Sequence, residues 1–213
     1  MSQDCCHGKM HELERIALHR DIRRVLVVVL LLNALMFVVE FGAGLLAQSA
    51  SLMADSIDML GDAAVYGLSL FALGRSLRWR AGSALIKGGF ILFLGLGVLA
   101  EIAVKVAWGV PPVSSLMLLV GAMALVANLS CLALLWPYRA HDVNLASTFA
   151  CSRNDVLANI GVLVAAWLVS LTDAAWPDIL VAAAIAALFI RSSLKVIADA
   201  WPQYRQAGAH VHH

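Results

Sequence analysis

The sequence predicts an all-α, polytopic membrane protein, a bundle of six transmembrane helices with both termini in the cytoplasm. Its 213 residues are 62% hydrophobic and only 14% charged, with a mean hydropathy of +0.84. So little polar surface cannot cover a water-soluble globule. Six apolar stretches are each long enough to cross a bilayer, and Lys and Arg gather in segments that would then lie on one side.

The apolar stretches are assigned by length, because a helix needs about 20 mostly apolar residues to cross a bilayer. They lie at about residues 25–47, 52–73, 84–106, 115–135, 147–171 and 177–197. The first is too long for the apolar part of a signal peptide, so we interpret it as a retained helix. We therefore predict a cytoplasmic N-terminal tail at 1–24, a six-helix membrane domain at 25–198 and a short cytoplasmic tail at 199–213.

The fifth span is the least regular of the six. Cys151, Arg153, Asp155 and Asn159 crowd its first half, and the apolar run 156–171 that follows is about one turn too short to span. If this helix crosses, the polar cluster must enter the membrane with its polar atoms turned towards other helices. Alternatively, the cluster lies at the interface and Arg153 extends towards water.

Basic residues set the expected orientation. They precede the first span, follow the second, precede the fifth, and lie in the last turns of the sixth and after it. These residues are Lys9, Arg15, Arg20, Arg23, Arg24, Arg75, Arg78, Arg80, Arg139, Arg191, Lys195 and Arg205. The opposite side has almost only Lys105, which we expect to pair with Glu101, four residues earlier on the same helix. By the positive-inside rule both termini are cytoplasmic, and we expect a multi-pass protein of a bacterial-type inner (plasma) membrane.

Three carboxylates interrupt the second span. Asp55, Asp58 and Asp62 are spaced by three and four residues, so they share one helix face. An ionisable group in the hydrocarbon region is costly and is tolerated mainly where it serves a function. Asp55 lies nearest the outer surface, where it could serve an exit or proton path or cap the start of the helix.

The fifth span offers a second pair of candidate ligands. Cys151 and Asp155 are four residues apart and share a face, as Asp58 and Asp62 do, whereas Arg153 lies on the opposite face. Two such pairs on facing helices would supply four ligands, a set that suits tetrahedral zinc. A thiolate also favours thiophilic ions over magnesium or calcium. Carboxylates and thiol must lose protons to bind metal, which couples metal binding to proton release.

Two segments resemble motifs of the cation diffusion facilitator family of metal transporters. Residues 51–62, Ser-Leu-Met-Ala-Asp-Ser-Ile-Asp-Met-Leu-Gly-Asp, are similar to its second-helix motif. Residues 142–166, with Cys-Ser-Arg-Asn-Asp at 151–155, are similar to its fifth-helix motif. Asn33 and Glu40 in the first span occupy positions that the family often fills in the same way. The resemblance extends over about residues 25–198.

The resemblance implies a function. It makes Asp58, Asp62 and Asp155 metal ligands, with Cys151 where the family usually has His or Asp. The implied activity is efflux of a divalent transition metal from the cytoplasm by exchange with protons, with Zn²⁺ preferred and Cd²⁺, Co²⁺, Ni²⁺ or Fe²⁺ as further substrates. The expected partners are the metal ion, membrane lipid and a second copy of the chain in a homodimer, with no nucleic acid. We expect a short form without the cytoplasmic domain that members often carry after the sixth helix.

Other functions stay open at this point. A membrane sensor or metal-binding protein could hold metal without moving it, and in a structural subunit the aspartates would only pair with Arg153 and protonated neighbours. Nothing resembles a nucleotide-binding loop or a nucleophile with a base, so we expect no enzyme. Asn33 and Glu40, seven residues apart on one face, could be ion ligands or make hydrogen bonds between helices.

The tails and the glycines carry weaker signals. Both tails bear residues that could gather metal or be a feature of composition alone: Cys5, Cys6, His7, His11, His210, His212 and His213. Glycines in the first and third spans are expected to permit close helix packing: Gly42, Gly44, Gly88, Gly89, Gly95 and Gly97.

Overall fold

A computed structural model describes residues 3–72, 77–139 and 143–209, in places by the backbone alone. Across these ranges the chain forms six α-helices and no strand, which confirms the predicted all-α fold. The helices are α1 (Gln3–Ala47), α2 (Ala50–Ala72), α3 (Leu77–Trp108), α4 (Ser114–Leu135), α5 (Val143–Thr172) and α6 (Trp176–Ala209), with a short 3₁₀ helix (Trp136–Tyr138) after α4. The first helix continues back through most of the predicted N-terminal tail, and the last continues into the predicted C-terminal tail.

Within the described ranges, five helices are long and apolar enough to cross a membrane. The spans are Arg20–Ala47, Gly88–Ala107, Ser114–Tyr138, Ser152–Thr172 and Trp176–Pro202. The remaining helix, α2, is long enough at 23 residues but carries three aspartates. The chain is therefore a multi-pass membrane protein, and α2 differs from the other five helices by the aspartates in its middle, not by a lack of apolar residues.

The helices pack as neighbouring pairs around α2. The closest pairs are α3 with α6, α1 with α2 and α4 with α5, and α2 also contacts α3, α5 and α6. All six helices contribute to the main apolar core of the described residues: Ala47 from α1, Leu52 from α2, Val98 from α3, Met117 from α4, Val162 from α5 and Phe189 from α6. This central position brings polar side chains of α2 against several other helices.

Two glycines allow helix backbones to approach closely. A Cβ atom at Gly44 of α1 would lie 2.8 Å from Met53 Cγ of α2. At Gly88 of α3 it would lie 2.7 Å from Ile197 Cγ1 of α6. The Gly88 carbonyl also accepts a hydrogen bond from Ser193 Oγ of α6 at 2.5 Å. These contacts confirm the packing role predicted for both residues.

Short turns join the helices at the end that the basic residues assign to the outside. Only Gln48 and Ser49 separate α1 from α2, and Gln48 adopts a φ of 52°. Gly109 ends α3 with a φ of 63°, and Asp173 follows α5 with a φ of 49°. A left-handed residue directly after a helix is a common stop signal, because it turns the chain away from the axis.

Large apolar side chains cover the outward helix faces. Leu35 and Leu46 of α1, Phe93 of α3, Trp167 of α5 and Leu188 of α6 are each more than half exposed. Contiguous apolar surface of this kind is unfavourable in water. It is the surface expected where lipid surrounds a bundle.

Candidate metal centre

The aspartates of α2 line the inner face of that helix. Asp55 is 1% exposed and Asp62 is 8% exposed, and Asp58 is half-buried. The spacing of three and four residues gives them one face, and the contacts of α2 on several sides turn that face into the bundle. Two of the three carboxylates are therefore buried inside the bundle, and Asp58 lies between them at its edge.

The polar cluster of α5 divides between the two faces of the helix. Ser152, Asp155 and Asn159 are buried, whereas Arg153 and Asn154 are exposed. The predicted separation of Arg153 from Asp155 is therefore confirmed, and Arg153 points away from the carboxylates of α2. The apolar span of α5 begins at Ser152, so the cluster lies within it.

One predicted ligand lies outside the described side chains. The backbone at Cys151 is helical, but the position of its thiol is not among those described. The same holds for the Cys and His side chains of both tails. Among the side chains that the structure does describe, no three His, Cys, Asp or Glu residues form a group that could hold a metal ion. The four-ligand set of Asp58, Asp62, Cys151 and Asp155 therefore stays a prediction.

A chain of buried amides links α2 to α5 and α4. Asn159 Nδ2 donates a hydrogen bond to Asp55 Oδ2. Asn128 Nδ2 of α4 donates to Asn159 Oδ1 at 3.2 Å. All three side chains are at most 2% exposed. This contact fixes the register between the two helices that carry the predicted ligands.

Asp55 does not cap α2. The helix begins at Ala50, and its cap is Ser49, whose Oγ accepts a hydrogen bond from Leu52 N at 3.2 Å. Asp55 lies more than a turn inside the helix and accepts from Asn159 instead. The capping alternative is wrong because Ser49 already occupies the position from which a side chain reaches the free N–H groups.

The polar residues of α1 face the same interior. Glu40 is fully buried beside Asp55, and neither of its carboxyl oxygens accepts a hydrogen bond from a donor in the described part of the chain. Asn33 donates to Val29 O of its own helix at 2.9 Å and lies 4.0 Å from Cys131 Sγ of α4. Asn33 therefore approaches the predicted interhelical role through Cys131, and Glu40 lies against Asp55 of the neighbouring helix.

Lys105 has a different partner from the predicted one. Its Nζ lies 3.1 Å from Asp178 Oδ2 of α6, in a pair whose side chains are 7% and 0% exposed. The predicted pair with Glu101 is wrong, because the spacing rule considers only neighbours on one helix. Sequence reasoning missed Asp178, since an acid in the first turn is ordinary at any helix start. The sequence did show Ser49 and Ser51 at the start of α2, and their hydroxyl groups are the ones that donate to Asp178.

The chain matches a known protein family. The sequence model described as the cation efflux transmembrane domain matches residues 26–202. This range contains most of the first span, the other five spans and both motif segments. No curated protein matches the chain.

Proposed function

Because the chain belongs to the cation efflux (cation diffusion facilitator) family, whose members transport metal cations, we propose that it exports zinc from the cytoplasm in exchange for protons. Asp58, Asp62, Cys151 and Asp155 are the proposed ligands of the transported ion. Cd²⁺, Co²⁺, Ni²⁺ and Fe²⁺ are proposed as further substrates. The proposed location is a bacterial-type inner membrane.

The hydrogen bond between Asn159 and Asp55 carries this proposal. The two helices run in opposite directions through the predicted topology, so positions can be counted from that contact towards the cytoplasm on both. At 1.5 Å per residue, Asp58 and Asp155 lie about 5 and 6 Å beyond it, and Asp62 and Cys151 about 11 and 12 Å beyond it. Matching heights on facing helices support a single site.

The donor set suits the proposed cargo. Carboxylate and thiolate ligands bind zinc in four-coordinate sites, and the thiolate disfavours magnesium and calcium. Asp62 and Asp155 are buried, and the Arg153 side chain is exposed on the other face of α5. Binding requires deprotonated ligands. Metal that enters from the cytoplasm would therefore release protons, and protons that return from outside would release the metal.

Flux through the site can be tested in liposomes that carry the purified protein and a zinc-sensitive dye. We expect zinc flux driven by a pH gradient in the wild type, and flux at the level of protein-free liposomes in Asp155→Ala. Asp173→Asn is the matched control, because this exposed carboxylate lies in the outer turn. Cys151→His should keep zinc flux, since imidazole also ligates zinc.

Two outcomes would contradict the proposal. Undiminished flux in Asp155→Ala would remove the site from the transport path. Stoichiometric zinc binding by the wild type without flux would show a membrane metal sensor or binding protein instead of a transporter. Binding is measured separately by calorimetry in detergent, so that the two readouts do not depend on each other.

A further inference from the structure

A second polar cluster lies at the outer ends of the helices and includes none of the proposed metal ligands. Its centre is Asp178, in the first turn of α6, which is fully buried. Oδ1 of Asp178 accepts hydrogen bonds from Ser49 Oγ at 2.7 Å, Ser51 Oγ at 2.6 Å and Ser51 N at 3.0 Å. Its Oδ2 accepts from Ala50 N at 2.8 Å and from Lys105 Nζ at 3.1 Å.

These contacts make Asp178 a cap for a helix other than its own. The first N–H groups of a helix have no partner within that helix. In α2, Ser49 supplies a partner for Leu52 N, and the carboxylate of α6 supplies one for Ala50 N and Ser51 N. A negative charge at this end is also favoured by the dipole of the helix.

Lys105 balances the charge of the buried carboxylate. A carboxylate out of contact with water is tolerated only when it is paired and hydrogen-bonded. The Lys105 side chain reaches it from α3, so one carboxylate joins α2, α3 and α6. The α3–α6 pair is in this way attached to the first turn of α2.

We propose that Asp178 is a positioning residue for the transport site. By accepting hydrogen bonds from Ala50 N and Ser51 N, it sets the position of α2 along its axis and its rotation about that axis. That helix carries Asp58, about 12 Å further along its axis, and Asp62, about 18 Å along it. The link to metal binding rests on the proposed function, whereas the attachment of α2 rests only on the contacts above.

Capping and simple ion pairing predict different behaviour. An ion pair between Lys105 and Asp178 would survive exchange of the two charges. The N–H and O–H donors of α2 need an acceptor at position 178, and a lysine there has none. The double variant Asp178→Lys with Lys105→Asp therefore separates the two roles.

Hydrogen exchange in nanodiscs tests the attachment without any transport. We expect Asp178→Asn to speed amide exchange in residues 50–62, because α2 loses its charged cap. Asp173→Asn is the control, since it removes a carboxylate from the neighbouring connection between α5 and α6, at a φ of 49° that Asn readily adopts. Unchanged exchange of α2 in Asp178→Asn would overturn the proposal.

Transport kinetics test the consequence for the site. We expect Asp178→Asn to raise the KM for zinc about tenfold, as changes to groups that orient metal ligands commonly do, with little change in Vmax per folded protein. A purely structural role would reduce the amount of folded protein and leave KM unchanged. Lys105→Arg should keep the wild-type KM, because it keeps the cation.

The charge-exchanged double variant completes the test. We expect its KM to stay raised, and a return to the wild-type KM would overturn the capping role in favour of the ion pair alone. If the wild type moves no metal, the proposed function fails. Hydrogen exchange then still decides whether Asp178 holds α2.

Discussion

A polar side chain is stable in this interior when each of its polar atoms has a hydrogen-bond partner. Asn159 uses both ends of its amide, because the oxygen accepts a hydrogen bond from Asn128 and the nitrogen donates one to Asp55. Only this orientation of the amide gives the Asp55 carboxyl a donor. One residue of α5 therefore satisfies polar groups on two other helices.

Removing the Asn159 amide should destabilise the fold through Asp55. We expect Asn159→Ala to lower the free energy of unfolding by about 2 kcal/mol, because a buried carboxyl group loses its donor. Unfolding in mixed detergent micelles, followed by circular dichroism, measures this change. Asn128→Ala, which removes only the donor to Asn159, should have a smaller effect.

A double-mutant cycle identifies the partner. With Asp55→Ala as the background, Asn159→Ala should cost less, by more than about 0.5 kcal/mol, since the pair is already broken. Strict additivity of the two changes would show that Asn159 acts through other contacts.

Sequence spacing predicted some of these residue positions and not others. The spacing of Arg153 and Asp155, two positions apart on one helix, predicted that one would be exposed and the other buried, and this is confirmed. The contact between Ala50 and Asp178 joins positions separated by 128 residues. No periodicity relates them, because their meeting depends on how α6 packs against α2. The distance between the Cys151 thiol and Asp62 also depends on how two helices pack, and it stays a prediction.

At the scale of the helices, length and apolar content predicted the number of elements and most of their cores. Their ends depend on local signals, including the positive φ values at Gln48, Gly109 and Asp173. The glycine pattern was less informative. Gly44 and Gly88 meet a neighbouring helix, whereas Gly42, Gly89 and Gly97 have no atom within 4 Å of an added Cβ among those described. Which glycines matter is set by helix rotation, which the sequence alone does not determine.

The contact of α3 with α6 should therefore respond to one glycine and not to its neighbour. We expect Gly88→Ala to destabilise the protein by about 1 to 3 kcal/mol, because the new methyl group would overlap Ile197. Gly89→Ala is the matched control and should cause no loss, since its surroundings are open. Thermal unfolding in detergent compares the two, and equal losses would contradict the expectation.

For the whole molecule, the basic residues predict the orientation in the membrane. The Ala47, Lys105 and Asp178 regions come together in the structure: Val113 N donates to Ala47 O at 2.9 Å, and Lys105 pairs with Asp178. This clustering agrees with the assignment of these helix ends to one side. The arrangement of the helices around α2 had no counterpart in the sequence pattern, since composition does not specify which apolar faces meet.

Labelling of introduced cysteines in intact cells tests this orientation. We expect Asp173→Cys to react with a membrane-impermeant maleimide from outside, and Arg205→Cys to react only after permeabilisation, because positive charge is retained in the cytoplasm. Both positions are exposed. The unmodified chain, with its four native cysteines, gives the background. The reverse labelling pattern would invert the predicted topology.

The two-residue turn between α1 and α2 connects the lipid to the buried carboxylates. With only Gln48 and Ser49 between them, the two helices form a hairpin whose members cannot slide past one another. Leu35 and Leu46 expose the α1 half to acyl chains. A bilayer whose hydrophobic thickness tilts α1 therefore also tilts α2. The thickness of the membrane is in this way coupled to the orientation of the helix that carries Asp55, Asp58 and Asp62.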